Sequence, residues 1–263
     1  MFGWLRGRRT PRAIPDALWQ DTLARYPFLA QRPAAAQEKL RALATEFLAG
    51  KEFHGAQGFR ITDEVAVAVA AQAVLPVLHL GLAWYDDFVG IVVHADEVMA
   101  RRVVTDESGV VHHYNEVLAG EAMEGGPVML SWRAVAGAGE SAREGYNVVI
   151  HEFVHKIDMR DGAPDGCPPL PTRAARDAWL AQMQGAYEGF REKVIIAERF
   201  GGAAPWLDAY GAQSIDEFFA VAAEAWFVNR PRFEQDFFAL SLLFEGFFGL
   251  KPAPPGPEQL SKQ

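Results

Sequence analysis

Residues Val148 to Gly162 read VVIHEFVHKIDMRDG, and the histidine spacing in that run constrains the fold more than any other feature. His151 and His155 lie four apart, a spacing that a helix turns into two side chains stacked on one face. Apolar residues surround them, Val148 to Ile150 and Phe153 to Val154, so the helix is expected to be buried. Two histidines and a glutamate in such a place carry a large desolvation penalty unless something compensates them. A pair of neutral imidazoles held this way supplies two corners of a tetrahedral zinc site, with room for a third protein ligand and a water. Glu152 lies about one residue's rotation aside. Its carboxylate can reach that water without taking a ligand position, and can accept a proton as the water attacks a carbonyl.

The rest of the composition narrows the setting. With 263 residues, half of them apolar, the chain is long enough for one large domain with a full core. A formal charge of −9 and the lack of a basic block in the body argue against nucleic acid as a partner. The one cysteine, Cys167, cannot form an internal disulfide, and no histidine pattern marks it as a nucleophile. No run reaches the length of a membrane span, and the basic MFGWLRGRRTPR is not followed by an apolar stretch of signal-peptide length. The expectation is a cytoplasmic protein without a membrane span.

Along the chain, residues 1–14 read as a flexible tail and 15–80 as a helical part. Residues 81–250 form the expected catalytic core, and the Pro-rich 251–263 a second tail, all in one domain. Helices are predicted after Pro15, over 34–48, and from a Thr62 or Asp63 cap to a break at Pro76. Between Trp84 and Trp132, short β-branched runs such as FVGIVVHA and GPVMLSW predict a small sheet. Helices return near 145–157, 172–199, 214–228 and 231–247, so the order helices, sheet, helices indicates an α+β fold.

A third metal ligand has two sources. Asp161 lies six residues past His155, where one class of zinc peptidases carries its ligand after a glycine turn, although Asp158 stands at the turn position here. The alternative is YGAQSIDEFFAVAAEAWF, where Ser214 or Asp216 can start a helix and Glu217 and Glu224 share one face, seven apart. An acid on so apolar a helix needs a partner. His54, His79 and His94 read as core or loop residues, and the adjacent His112 and His113 would point to opposite faces of a strand.

HEFVHKIDMRDG, preceded by WYDDFVGIVVHADEV and GPVMLSW and followed by YGAQSIDEFFAV, resembles the Mlc titration factor A family of zinc peptidases. The helix-bearing half is also similar to the catalytic domain of anthrax lethal factor. The resemblance implies a zincin-like fold, with a small mixed sheet packed on the helix of the histidine pair. It implies one zinc ion per chain and Glu217, seven residues after Tyr210, as third ligand. Tyr210 would donate to the developing oxyanion. Asp158 would orient a ligand histidine through its free ring nitrogen, and Asn147, one turn before His151, would support the same helix. In peptidases of this general fold an edge strand pairs with the extended substrate, a role that falls here to Val128, Met129, Leu130 and Ser131. The implied activity is aminopeptidase-like hydrolysis of short peptides, with Mlc-like transcriptional repressors as binding partners. The rival reading is a repressor-sequestering binding protein whose zinc site is latent or structural, closed by a fourth ligand such as Asp158 or Asp161.

Overall fold

The computed structural model describes residues 10–105 and 111–249, with the backbone alone over 98–105 and 111–118. Most of the basic N-terminal stretch and the whole Pro-rich tail expected over 251–263 therefore lie outside the described residues. Helices α1 (Asp16–Arg25), α2 (Pro27–Ala30) and α3 (Ala34–Gly50) open the chain, and Ile14 just ahead of them is buried. Strand β1 (Glu52–Gly55) leads to α4 (Asp63–Ala73). Thr62 caps α4 by accepting the Val65 N–H, as the sequence predicts, and the helix ends before Pro76 instead of kinking at it. The strands β2 (Gly90–His94), β3 (Val98–Thr105), β4 (Val111–Leu118), β5 (Gly120–Ala122) and β6 (Val128–Ser131) follow. Five helices complete the described residues: α5 (Trp132–Ser141), α6 (Val148–Asp158), α7 (Arg173–Phe200), α8 (Ile215–Val228) and α9 (Arg230–Phe248). The fold is α+β, mostly helical, with one four-stranded mixed sheet and a separate β3–β4 hairpin.

The main sheet runs in the order β1-β2-β6-β5, its first three strands parallel and β5 antiparallel to β6. Ile91 and Val93 of β2 stand in register with Val128 and Leu130 of β6, and all four are buried on the core face. This topology corrects one expectation. Val128 to Ser131 do not form an edge: β2 pairs with them on one side and β5 on the other. At its end, Ser131 turns the chain into α5 by accepting the Ala134 N–H. The strand beside β6, on the far side from β2, is the three-residue β5, and there the sheet ends among the described residues.

Every residue of α6 is buried, and the helix packs against α8, α4, β5 and β6. Even Lys156 is enclosed, because its charge is spent on backbone: Nζ donates to Met123 O at 2.6 Å and Gly126 O at 3.2 Å. The ammonium also lies 4.7 Å over the Phe88 ring and 3.6 Å from Asp87. Lys156 thus ties α6 to the turn between β5 and β6. On the other side, Trp179, Phe219, Trp226 and Phe244 interlock α7, α8 and α9 edge-on and tilted, which fixes α8 beside α6.

Candidate metal centre

Helix α6 begins at Asn147, whose Oδ1 accepts the Ile150 N–H at 2.9 Å. One turn on, the two histidines point the same way, with Nε2 of His151 and Nε2 of His155 3.1 Å apart. The carboxylate that meets them comes from α8. Ser214 caps that helix and accepts the Glu217 N–H, and Glu217 Oε2 lies 3.1 Å from His151 Nε2 and 3.2 Å from His155 Nε2. Three donor atoms thus form a near-equilateral triangle. An ion held tetrahedrally at zinc–nitrogen and zinc–oxygen distances sets its donors about 3.3 Å apart, so the residues fit such an ion without rearrangement. His151, His155 and Glu217 are also the set of acids and histidines whose donor atoms converge among the described residues. Asp161 is not part of it. Its side chain is exposed and lies 3.8 Å from Arg176.

Glu152 is buried but takes no part in the triangle. It faces β5, where its Oε1 lies against Gly120. A Cβ on Gly120 would stand 2.5 Å from Glu152 Oε1, so only glycine allows the strand this close. Burial pushes the Glu152 carboxyl up, and the two histidines pull the other way. Tyr210 sits in a short turn that Asp208 closes by accepting the Tyr210 N–H at 2.9 Å. Its hydroxyl donates to Glu217 Oε1 at 3.4 Å, and its ring centre is 6.1 Å from that of His151. With Gly120, Tyr146 and Val148 these groups line a cavity of about 270 Å³. Tyr146 is a residue that sequence reasoning missed. Burial and then the negative charges of Glu224 and Glu152 push its phenol well up, which keeps it a proton-bearing donor.

The carboxylate that orients a histidine is not the expected one. Glu224 Oε1 lies 3.3 Å from His151 Nδ1, while Asp158 accepts the Gly166 N–H at 2.9 Å and hydrogen-bonds no histidine. Asp158 lies three residues past His155 on α6 and turns its carboxylate to the loop at Gly166, whereas Glu224 of α8 meets His151. Glu224 is itself held: the Asn147 N–H donates to its Oε2 at 2.6 Å, and the Asn147 side-chain amide donates to Gln72 Oε1 at 2.8 Å. Gln72, the buried polar residue of α4, donates onward to Ala68 O. Asn147 therefore does more than cap.

Charges follow from this geometry. Burial disfavours a charged His151, yet the hydrogen bonds with Glu217 and Glu224 outweigh it and hold the imidazole well above its usual range. Burial also works against a charged Glu217, and the contacts with both histidines reverse it, leaving the carboxyl far below the usual range. For Glu224 burial wins over His151, and the carboxyl rises to about 7. Burial likewise raises Asp158 to about 7, with Gly166 offsetting part of it, and its Oδ1 has no partner.

The sequence matches the family described as glucose-regulated metallo-peptidase M90 over residues 2–248. The chain belongs to the M90 metallopeptidase family. Relatives agree along nearly the whole length. Mlc titration factor A of Escherichia fergusonii is 32% identical over 254 residues, covering 96% of this chain and 93% of the relative. The protein of the same name from Serratia proteamaculans is 33% identical over 228 residues, 86% of this chain and 84% of its own. An uncharacterised protein of Synechocystis sp. is 32% identical over 251 residues, 95% and 89% of the two chains. Like the sequence, the described part of this M90 chain has no helix long and apolar enough to cross a membrane.

Proposed function

We propose that this M90 chain is a zincin-like, zinc-dependent aminopeptidase acting on short peptides in the cytoplasm. The observation that carries the reading is the triangle of His151 Nε2, His155 Nε2 and Glu217 Oε2, with Glu152 beside it and outside it. When bound, a single zinc ion supplies a Lewis acid that polarises a carbonyl and acidifies water. The chain's own residues do the rest. Glu152 accepts the proton of the attacking water and passes it to the leaving amine. The Tyr210 hydroxyl donates to the carbonyl oxygen as negative charge develops there. Glu224 and Asn147 hold the His151 ring in place. The backbone of Gly120 to Ala122, rather than that of Val128 to Ser131, offers the edge along which an extended peptide adds as a strand. Glu152, Asp208 and Glu224 make the cavity rich in carboxylates, which suits a substrate's free ammonium end.

Hydrolysis of aminoacyl and blocked peptide reporters by protein of known zinc content, alongside Glu152→Gln, tests this. Turnover that tracks zinc and disappears in the variant is expected, with blocked peptides spared. Unchanged turnover in Glu152→Gln would remove that residue from the mechanism. Equal cleavage of blocked peptides would replace the aminopeptidase with an endopeptidase.

The names of the relatives favour a second role, binding of an Mlc-like transcriptional repressor. It is compatible with catalysis, because neither Asp158 nor Asp161 supplies a fourth donor that would close the site. Capture of purified repressor by wild type and by Glu217→Ala separates the roles: binding that survives loss of the metal belongs to a surface other than the centre.

A further inference from the structure

A cavity of about 720 Å³ lies where α2 and the start of α3 meet the α8–α9 junction, and it shares no lining residue with the cavity at the metal centre. Phe28, Leu78, Phe227 and Val228 form its apolar walls. Arg32 and Lys39 add positive charge, in a chain whose net charge is −9. Arg32 Nε donates to Phe28 O at 3.2 Å and Nη2 to Phe227 O at 2.6 Å. Its Nη1 has no acceptor, and neither Arg32 nor Lys39 pairs with a carboxylate among the described residues. The one acid of the lining is Glu234, and it is already engaged: Arg230 Nε reaches it at 2.6 Å and the Ser241 hydroxyl at 2.7 Å. Arg230 in turn is matched by Glu234 and by Glu245 at 2.7 Å. Burial and then Arg230 lower the Arg32 guanidinium to about 10, still charged at neutral pH. A half-buried charged fork with no counter-ion among the described residues, set beside apolar walls, leaves one nitrogen for an anion.

We propose that this cavity binds a medium-chain aliphatic carboxylate, its head on Arg32 with Lys39 at the rim and its chain along Phe28, Leu78 and Phe227. The cavity lies within the ~300–1,000 Å³ range of small-molecule sites. One unspent guanidinium nitrogen and one lysine beside a mostly apolar wall suit a single carboxylate with an aliphatic chain. The site borders the last turn of α8, the helix that also carries Glu217 and Glu224. The inference rests on this cavity alone, and its failure would leave the metal centre's reading untouched.

The test is calorimetric titration of the full-length, zinc-loaded protein with decanoate, decan-1-ol and decyltrimethylammonium, each below its micellar concentration. Saturable one-site binding of decanoate is expected, with weaker binding of the alcohol and none of the cation. Arg32→Met should lower decanoate affinity about tenfold or more, the size of one charge-assisted hydrogen bond. Ala36→Trp, which fills the cavity from the α3 side, should abolish binding. Lys39→Glu alters only an exposed side chain, so it reads the charge effect even if Arg32→Met fails to fold, and it should weaken decanoate as well. Absence of decanoate binding, equal binding of the cation, or affinity unchanged in Lys39→Glu and Ala36→Trp would each overturn the assignment.

Discussion

Glu224 Oε1 lies 3.3 Å from Nδ1 of His151, the ring nitrogen opposite the one that faces Glu217 and His155. The contact sets which nitrogen of the imidazole points into the donor triangle, and with Asn147 behind it the ring has little freedom to turn. Replacing Glu224 by Gln should therefore weaken zinc affinity by about 10–100-fold without abolishing the site. Glu217→Ala, which removes a donor, should leave no stoichiometric zinc. Competition against a chelator of known affinity orders the two variants, and equal loss in both would contradict the distinction between ligand and orienting group.

Gly120 allows β5 to approach Glu152 more closely than any side chain would permit. In Gly120→Ala the new methyl would meet Glu152 Oε1 at 2.5 Å and Val148 Cγ2 at 2.8 Å, so the carboxylate must move. Misplacement of a reacting group by about 1 Å costs on the order of 10²-fold in rate. The expected variant binds one zinc, melts close to wild type and turns over about a hundredfold more slowly, read as kcat per bound zinc.

The Tyr210 hydroxyl donates to Glu217 Oε1, while the other oxygen of that carboxylate meets both histidines. Tyr210→Phe keeps the ring and its packing, so zinc content should be unchanged. The loss should fall on kcat, by about 10²–10³ if the hydroxyl donates to the developing oxyanion. A rise in KM with constant kcat would instead make it a substrate-binding group.

Asp158 gives the pH prediction. Its folded-state carboxyl, raised to about 7, keeps a proton that the unfolded chain, near 3.8, has already lost. Its stabilising contribution is complete below about 4 and is lost as pH rises through about 7. Asp158→Asn keeps an oxygen for the Gly166 N–H and carries no charge. It should melt close to wild type at pH 4–5 and several degrees above it at pH 8, at about 2–4 °C per kcal/mol for a domain of this size. Zinc binding should survive. Loss of zinc in this variant would restore the role that sequence resemblance implies for Asp158.

What could be read ahead of the structure was local. The histidine spacing needs only one helix, and Ser214 three residues before Glu217 is a start signal within a single turn. The α+β order follows from runs long enough to show a period. Strands β1 and β5, of four and three residues, are too short for that. Helix α5 was obscured by Gly137 and Gly139, the second of which lets the helix lie against Arg25, where a Cβ would stand 2.0 Å from the carbonyl oxygen. The position of β6 depended on which strands flank it, a matter of pairing Ile91 with Val128 and Ala122 with Val128. No local pattern carries that. That Glu224 and not Asp158 meets His151 is a matter of the same kind. Both are acids in apolar surroundings, and the packing of α8 on α6, across 73 residues of chain, decides which one meets His151.

The Lys156 tie gives α6 a further property. Eleven residues carry two corners of the donor triangle, Glu152 beside them, and the ammonium that grips the turn joining β5 to β6. The edge on which a peptide would lie and the helix that would act on it are thus fastened by a strut one residue past the second histidine. Edge and donors are thereby held in one alignment by direct bonds. In an engineer's terms, the workpiece rest and the tool are mounted on the same frame.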